Sequence, residues 1–220
     1  MTYCGQLFDT SFVSVDVHDK VSVAIESMEA QQCKHLPVLE GNIFLGMVAE
    51  DDLLDADADE EISTLKRFFI NAFVRSTDYF LLALKVRSKF NIDCIPVLNE
   101  KNELEGLVGI EKMLDQISIV TGISDQGSML VLEVNRFDYA LGEINRLVES
   151  NDANIMHLNT VQDPVSEQMQ IILRINKEEI SDVVSTFQRH EYQVLYYYGE
   201  ETYSNSLQDN LDHLINYLNI

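Results

Sequence analysis

Three groups of side chains in this sequence could do chemistry by type alone. The run Asp55-Ala56-Asp57-Ala58-Asp59 spaces its carboxylates like the opening of an EF-hand calcium loop. Such a loop needs glycine at its sixth position, where this chain has Glu60, and a bidentate glutamate at its twelfth, where it has Lys66. The run therefore reads as a solvated acidic helix end or loop, which supports at most loose Mg²⁺ or Ca²⁺ association. The histidines (His18, His35, His157, His190 and His213) include no i,i+4 pair and no His-Glu-x-x-His, so zinc chemistry has no ligand set. His35, beside a buried strand, reads as structural. Cys33 or Cys94 as a nucleophile would need a placed base that the sequence does not reveal. There is no G-x-S-x-G, no P-loop and no G-x-G-x-x-G. The expectation is no catalytic residue, no metal site and no enzyme.

Composition narrows the partners. Fifteen basic residues against 37 acidic ones give a net charge of −22, a field that repels phosphate backbones and anionic lipid. Nucleic acid and membrane surfaces are thereby disfavoured as partners. Cys4, Cys33 and Cys94 are odd in number with no C-x-x-C, which suits a reducing cytosol better than a disulfide framework. The first residues carry no basic segment followed by an apolar one, and no apolar run approaches the roughly 20 residues that span a bilayer. The sequence is expected to be cytoplasmic.

The elements that must hold these residues come largely in duplicate. His35-Leu36-Pro37-Val38-Leu39, a gap, and Gly46-Met47-Val48 are matched by Cys94-Ile95-Pro96-Val97-Leu98, a gap, and Gly106-Leu107-Val108. Pro37 to Pro96 and Ala24 to Ala83 are both 59 positions apart, and Gly46 to Gly106 is 60. One extra residue in the second gap makes the difference. In the first copy Phe12 to Val17 predicts a leading strand, and Asp19 caps a helix carrying Val21, Ala24, Ile25 and Met28. Leu36 to Leu39 and Ile43 to Val48 predict a hairpin about Gly41-Asn42, and Glu50 to Asp55 opens a second helix. The second copy repeats this order, with Phe73-Val74 as leading strand and Glu111 to Ile117 as closing helix. Each β-α-β-β-α unit leaves a sheet face uncovered, so the two copies should pack on each other.

After Thr121 to Gly127, which reads as a linker, the pattern changes. Strands are expected over Met129–Asn135, Asn154–Thr160, Met169–Ile175 and Tyr192–Tyr198, with a polar turn around Asp163-Pro164. Helix faces are marked by Leu141, Ile144, Leu147 and Val148 and by Ile180, Val183, Val184 and Phe187. This β-α-β-β-α-β order is the ferredoxin-like split unit. Residues 201–220 carry Leu207, Leu211, Leu214, Ile215 and Leu218 on one helical stripe, which predicts an amphipathic helix. The fold class is α/β (α+β). Residues 1–120 form the pair, with copies at about 12–58 and 72–118; a linker spans 121–128 and the second domain 129–200.

Leu36-Pro37-Val38 with Gly46-Met47-Val48 and Asp52, and Ile95-Pro96-Val97 with Gly106-Leu107-Val108, resemble a tandem pair of CBS motifs, the cystathionine-β-synthase type regulatory module. Asn154-Ile155 and the element order of the second domain resemble an ACT domain. Together they resemble CBS–ACT regulatory proteins of the acetoin-utilisation type. The resemblance implies a cleft between the CBS copies that binds adenosine-containing ligands. It assigns that cleft Val15, Leu36, Pro37, Val48, Ala49 and Asp52 in the first copy. In the second it assigns Ile95, Pro96, Val108, Gly109 and Lys112. The family places an aspartate on the ribose hydroxyls and a Thr or Ser near phosphate; a carboxylate accepts from vicinal hydroxyls, and a hydroxyl at a helix start suits an anion. Here Asp52 supplies the acceptor, Ala49 stands at the Thr/Ser position, and the second copy has Gly109 and Lys112 at the two places. Glu50, Asp51 and the acidic run each oppose a polyphosphate by about a kcal/mol or more. Adenosine, AMP or S-adenosylmethionine is therefore expected over ATP, with no cofactor required. In the ACT-like domain, Asn135-Arg136-Phe137-Asp138 stands where amino-acid binders keep a small residue, and Phe137 is expected to fill that space. The reading is a homodimeric ligand-sensing regulator; its alternative is a ligand-free dimerisation scaffold with degenerate sites.

Overall fold

A computed structural model describes residues 2–162 and 164–199. The predicted helix at 201–220 and Asp163 of the predicted turn lie outside the described residues. The chain divides into two compact units, Met1–Ile117 and Ser118–Ile220.

In the first unit, copy one runs β1 (Val15–Asp16), α1 (Val21–Gln31), β2 (His35–Glu40), β3 (Ile43–Ala49) and α2 (Glu50–Leu54). Copy two runs β4 (Val74–Arg75), α3 (Leu81–Phe90), β5 (Cys94–Leu98), β6 (Leu104–Gly109) and α4 (Ile110–Thr121). The sheets, β1-β2-β3 and β4-β5-β6, share one register: Val15 faces Val38 as Val74 faces Val97, and Gly46 faces Val38 as Gly106 faces Val97. Local devices repeat too. The Asp19 carboxylate accepts from the Asp16 N–H at 2.8 Å, and Asp78 does the same for Arg75 at 2.7 Å. Gln32 and Asn91 end α1 and α3 in left-handed conformation, at φ 53° and 51°. Gly41 opens the first hairpin's two-residue turn at φ 63°, the conformation a type II′ turn requires at that position.

Two expectations are corrected, and one element appears that the sequence did not mark. Asp19 does not cap α1, because its carboxylate is committed to Asp16; Lys20 is the N-cap and makes no side-chain cap bond. The first N–H groups of α1 are satisfied instead by main-chain carbonyls of the acidic run, Val21 donating to Glu60 at 2.9 Å and Ser22 to Ala58 at 3.1 Å. That run therefore straps the helix start, where its negative charge also complements the helix dipole, and Lys20 binds Asp59 at 2.7 Å. A 3₁₀ turn over Ile62–Phe68, unmarked by periodicity, then drops Ile62 and Leu65 into the core of copy one. Finally, β1 is shorter than Phe12–Val17, because the chain just before it is engaged with β6: Asp9 and Leu107 exchange N–H···O bonds of 2.9 and 3.1 Å.

The lead segment of copy two is engaged in the same way with β3, through Met47 and Ile70. Each copy is thus strapped by the segment that leads into the other. Between the copies, Phe44, Met47 and Leu98 form a small buried core with Leu39, Ile70, Phe73 and Leu104 around it. The hairpin tips meet there: Phe44 donates to Asn102 O at 2.9 Å and Leu104 to Asn42 O at 3.2 Å.

The second unit comprises β7 (Ser128–Asn135), α5 (Leu141–Glu149), β8 (Ile155–Gln162), β9 (Gln168–Ile175), α6 (Ser181–Arg189) and β10 (Gln193–Tyr198). Its sheet order, β10-β7-β9-β8 with every neighbouring pair antiparallel, is ferredoxin-like. Leu130, Leu132, Ile171 and Leu173 meet Ile144, Leu147, Val183 and Phe187 in one core. Phe137 fills no space in this unit: it is 72% exposed. An Asn135 side-chain bond to the Phe137 N–H, at 3.0 Å, turns the chain outward, and the Arg136 guanidinium lies 4.5 Å over the ring.

Candidate functional site: a cleft shared by the two copies

The first unit carries a cleft of about 570 Å³ to which both copies contribute. From copy one come Gln32, Lys34 and His35 at the entry to β2, and Ala49, Glu50 and Asp51 where β3 passes into α2. From copy two come Arg87 and Phe90 of α3, then Asn91, Ile92 and Asp93 leading into β5. Register explains the convergence: His35 pairs with Ala49, and Glu50 donates its N–H to Lys34 O at 2.9 Å.

Asp93 fastens the two sides. Its Oδ2 accepts from the Lys34 main-chain N–H at 2.9 Å, and its Oδ1 bonds His35 Nδ1. Burial pushes the Asp93 carboxyl up, but the bonds from His35 and from the main-chain N–H groups of Lys34 and of Asp93 itself win and hold it at about 2. The His35 side chain is 14% exposed. Lys34 and Asp93 are 59 positions apart, equivalent places in the repeat holding opposite charges. Arg87 brings a second positive charge, and its buried Nε has no hydrogen-bond partner among the described residues. Arg87 and Lys34 thus face Glu50, Asp51 and Asp93, a mixed lining that suits a ligand of little net charge.

Of the residues assigned by resemblance, Ala49 lines this cleft. Asp52 is partly buried in the first turn of α2, one position beyond Asp51. Val15, Leu36 and Val48 are in the buried core of copy one, and Ile95 and Val108 in that of copy two. Pro37 and Pro96 are buried, Gly109 is partly buried, and Lys112 is exposed on α4. Arg87 and Asp93 did not stand out from the sequence; the signal that could have found Asp93 is its 59-residue offset from Lys34.

Two cysteines lie beside the cleft, and both are poor nucleophiles. Burial, followed by the charges of Asp93 and Cys33, pushes the Cys94 thiol up to about 12. Burial and then Asp93 raise Cys33 as well. At pH 8 the Cys94 thiolate fraction is then lower than that of an ordinary cysteine by two to three orders of magnitude, roughly. Alkylation of the native chain by iodoacetamide, followed by mass spectrometry, should label Cys94 that much more slowly than the same chain in denaturant. Equal rates would refute the burial argument.

Comparison with known proteins agrees with this architecture. Residues 4–59 match the family described as CBS domain. The crystal structure of a CBS domain pair/ACT domain protein from Thermotoga maritima is similar at a TM-score of 0.50 and 24% identity, over 53% of this chain and 96% of that one. The cystathionine β-synthase pair domain of a putative Mg²⁺ transporter from Shewanella oneidensis MR-1 follows at a TM-score of 0.48 and 17% identity, over 54% of this chain and 71% of that one. A homoserine O-acetyltransferase of Methanobrevibacter ruminantium is 29% identical over 115 residues, 51% of this chain but 23% of that protein. The chain thus spans less than a quarter of that curated relative. No helix among the described residues is long and apolar enough to cross a membrane. Residues 4–59 thus carry a CBS domain, the duplicate beside it completes the fold of a CBS domain pair, and a unit of ferredoxin-like topology follows.

Proposed function

We propose that this protein is a non-catalytic cytoplasmic regulator whose CBS pair binds an adenosine-containing ligand of low net charge: adenosine, AMP or S-adenosylmethionine. The observation that carries the proposal is the shared cleft. A ligand seated there touches residues of both copies, so it can favour one arrangement of the pair over another; a ligand shifts such an equilibrium only by its differential affinity for the two states. In this reading the aspartates at the head of α2, Asp51 on the cleft wall and Asp52 next to it, supply the acceptor for the ribose hydroxyls. Arg87 supplies the donor for a single phosphate or a carboxylate. Glu50, Asp51 and Asp93 oppose a triphosphate, so ATP should bind more weakly than AMP.

A thermal-shift panel on the full chain tests this. A ligand at a hundred times its dissociation constant adds about 2.7 kcal/mol, worth several degrees. The expected result is a shift with adenosine, AMP or S-adenosylmethionine, reduced in Asp52→Ala and in Arg87→Met. A second reading, a ligand-free scaffold, is favoured by the burial of Val15, Leu36, Val48, Ile95 and Val108 in the two cores. A flat panel in the wild type would select it. Both readings include a homodimer, and a sedimentation mass equal to one chain would remove that part.

A further inference from the structure

The second unit buries an arginine for which the described residues supply no counter-charge. Arg174 of β9 is 8% exposed. Its neighbours in the strand, Leu173 and Ile175, face the helix-covered core, so Arg174 points to the other face of the sheet. There it stands in register with Met129 of β7 on one side and His157 of β8 on the other. Its Nη2 donates to the main-chain oxygen of Asp125 at 2.7 Å. Among the described residues no carboxylate lies within ion-pair reach of it; the ion pairs found are His18–Glu61, Lys20–Asp59, His35–Asp93 and Arg146–Glu143. The carboxylate of Asp125 is turned toward Gly122, with Oδ2 3.1 Å from the place a Cβ would occupy on that glycine. Burying a guanidinium with one carbonyl partner is strongly unfavourable unless an anion completes the site.

There is room for one. Arg174 and His157 line a cavity of about 190 Å³ with Gln126, Asn176, Val120 and Met156. We infer that this cavity binds a small monocarboxylate anion, its two oxygens on the Arg174 fork, its apolar end toward Val120 and Met156. Guanidinium and carboxylate match in planar, two-bond geometry. A single arginine neutralises one negative charge, whereas a phosphate dianion would remain half uncompensated inside a chain of net charge −22. This site shares no residue with the CBS cleft, so its failure and that of the adenosyl proposal are separate.

The test is a titration of the ¹⁵N-labelled full chain with propionate and, in parallel, inorganic phosphate, followed by amide NMR. Propionate should produce saturable shifts confined to residues 119–126, 156–157 and 174–176. Arg174→Lys, which keeps the charge and can still reach the Asp125 carbonyl, should weaken propionate at least tenfold, and Arg174→Met should abolish it. The inference is overturned if wild type gives no saturable response to propionate, if phosphate saturates the site and propionate does not, or if Arg174→Lys binds propionate as wild type does. It is equally overturned by a high-resolution crystal structure of the chain in which the Asp125 carboxylate itself pairs with Arg174.

Discussion

Replacing Gly106 by alanine should lower the stability of the first unit by about 2–4 kcal/mol, the sum of overpacking and two weakened main-chain bonds. The reason is the strap from the chain start. A Cβ on Gly106 would sit 2.6 Å from Asp9 O and 2.8 Å from Phe8 Cγ. The backbone oxygen cannot move away without breaking the Asp9–Leu107 bonds that hold the strap. Gly46 occupies the equivalent place under the other strap, its Cβ site 2.8 Å from Phe69 Cβ, with φ at 155°. The control is Gly109→Ala in the same strand, where nothing lies within 4 Å of a Cβ. That change should be close to neutral or slightly stabilising, because it removes chain entropy from the unfolded state. Urea denaturation of the three chains decides the matter. Equal midpoints for Gly106→Ala and wild type would mean the strap does not bear on β6.

The second large effect belongs to Asp93. Its folded carboxyl titrates at about 2 against an ordinary value of 3.8, so the folded state favours the ionised form. The associated stability is present above pH 4 or so and is lost as pH falls through about 2. Taken at face value the difference is about 2 kcal/mol, but the side chain is 40% exposed, and screening reduces this to about 1 kcal/mol. Asp93→Asn should therefore destabilise the chain by that amount at pH 7 and by little at pH 2. The same change removes the charge and one of the two acceptor oxygens that join Lys34 and His35 to copy two, so it should also weaken whatever occupies the cleft. Wild type and Asp93→Asn that stay parallel between pH 7 and pH 2 would show that the contact holds nothing together.

Much of the fold is legible in the sequence, for a physical reason. Pro37 and Pro96, Val38 and Val97, and Gly46 and Gly106 obey strand constraints that a duplicated fold must satisfy twice, so their spacing carries the register directly. The order of the second unit followed from alternating period-2 and period-3.6 stretches. What stayed hidden depends on contacts between segments without period. Phe8-Asp9 and Phe69-Ile70 carry no signal that they cross to the other copy. Asp19 has the residue type of a helix cap, yet it serves Asp16, while the helix start is satisfied by carbonyls some forty residues on. The size of Phe137 suggests a filled space, whereas Asn135 and Arg136 decide its direction. In the cleft, Ala49 follows from the resemblance to a CBS motif, but Arg87 and Asp93 act through tertiary placement.

The proposed function stands or falls with ligand binding in the cleft between the two copies. Isothermal titration of AMP, with ATP in parallel, into the full chain and into Arg87→Met measures it most directly. Saturable heat is expected for AMP near one site per chain, with weaker binding of ATP and a loss of at least tenfold in affinity for Arg87→Met. Absence of heat from AMP, adenosine and S-adenosylmethionine alike, with no nucleotide released when the purified chain is denatured, would contradict it and leave the pair as a scaffold.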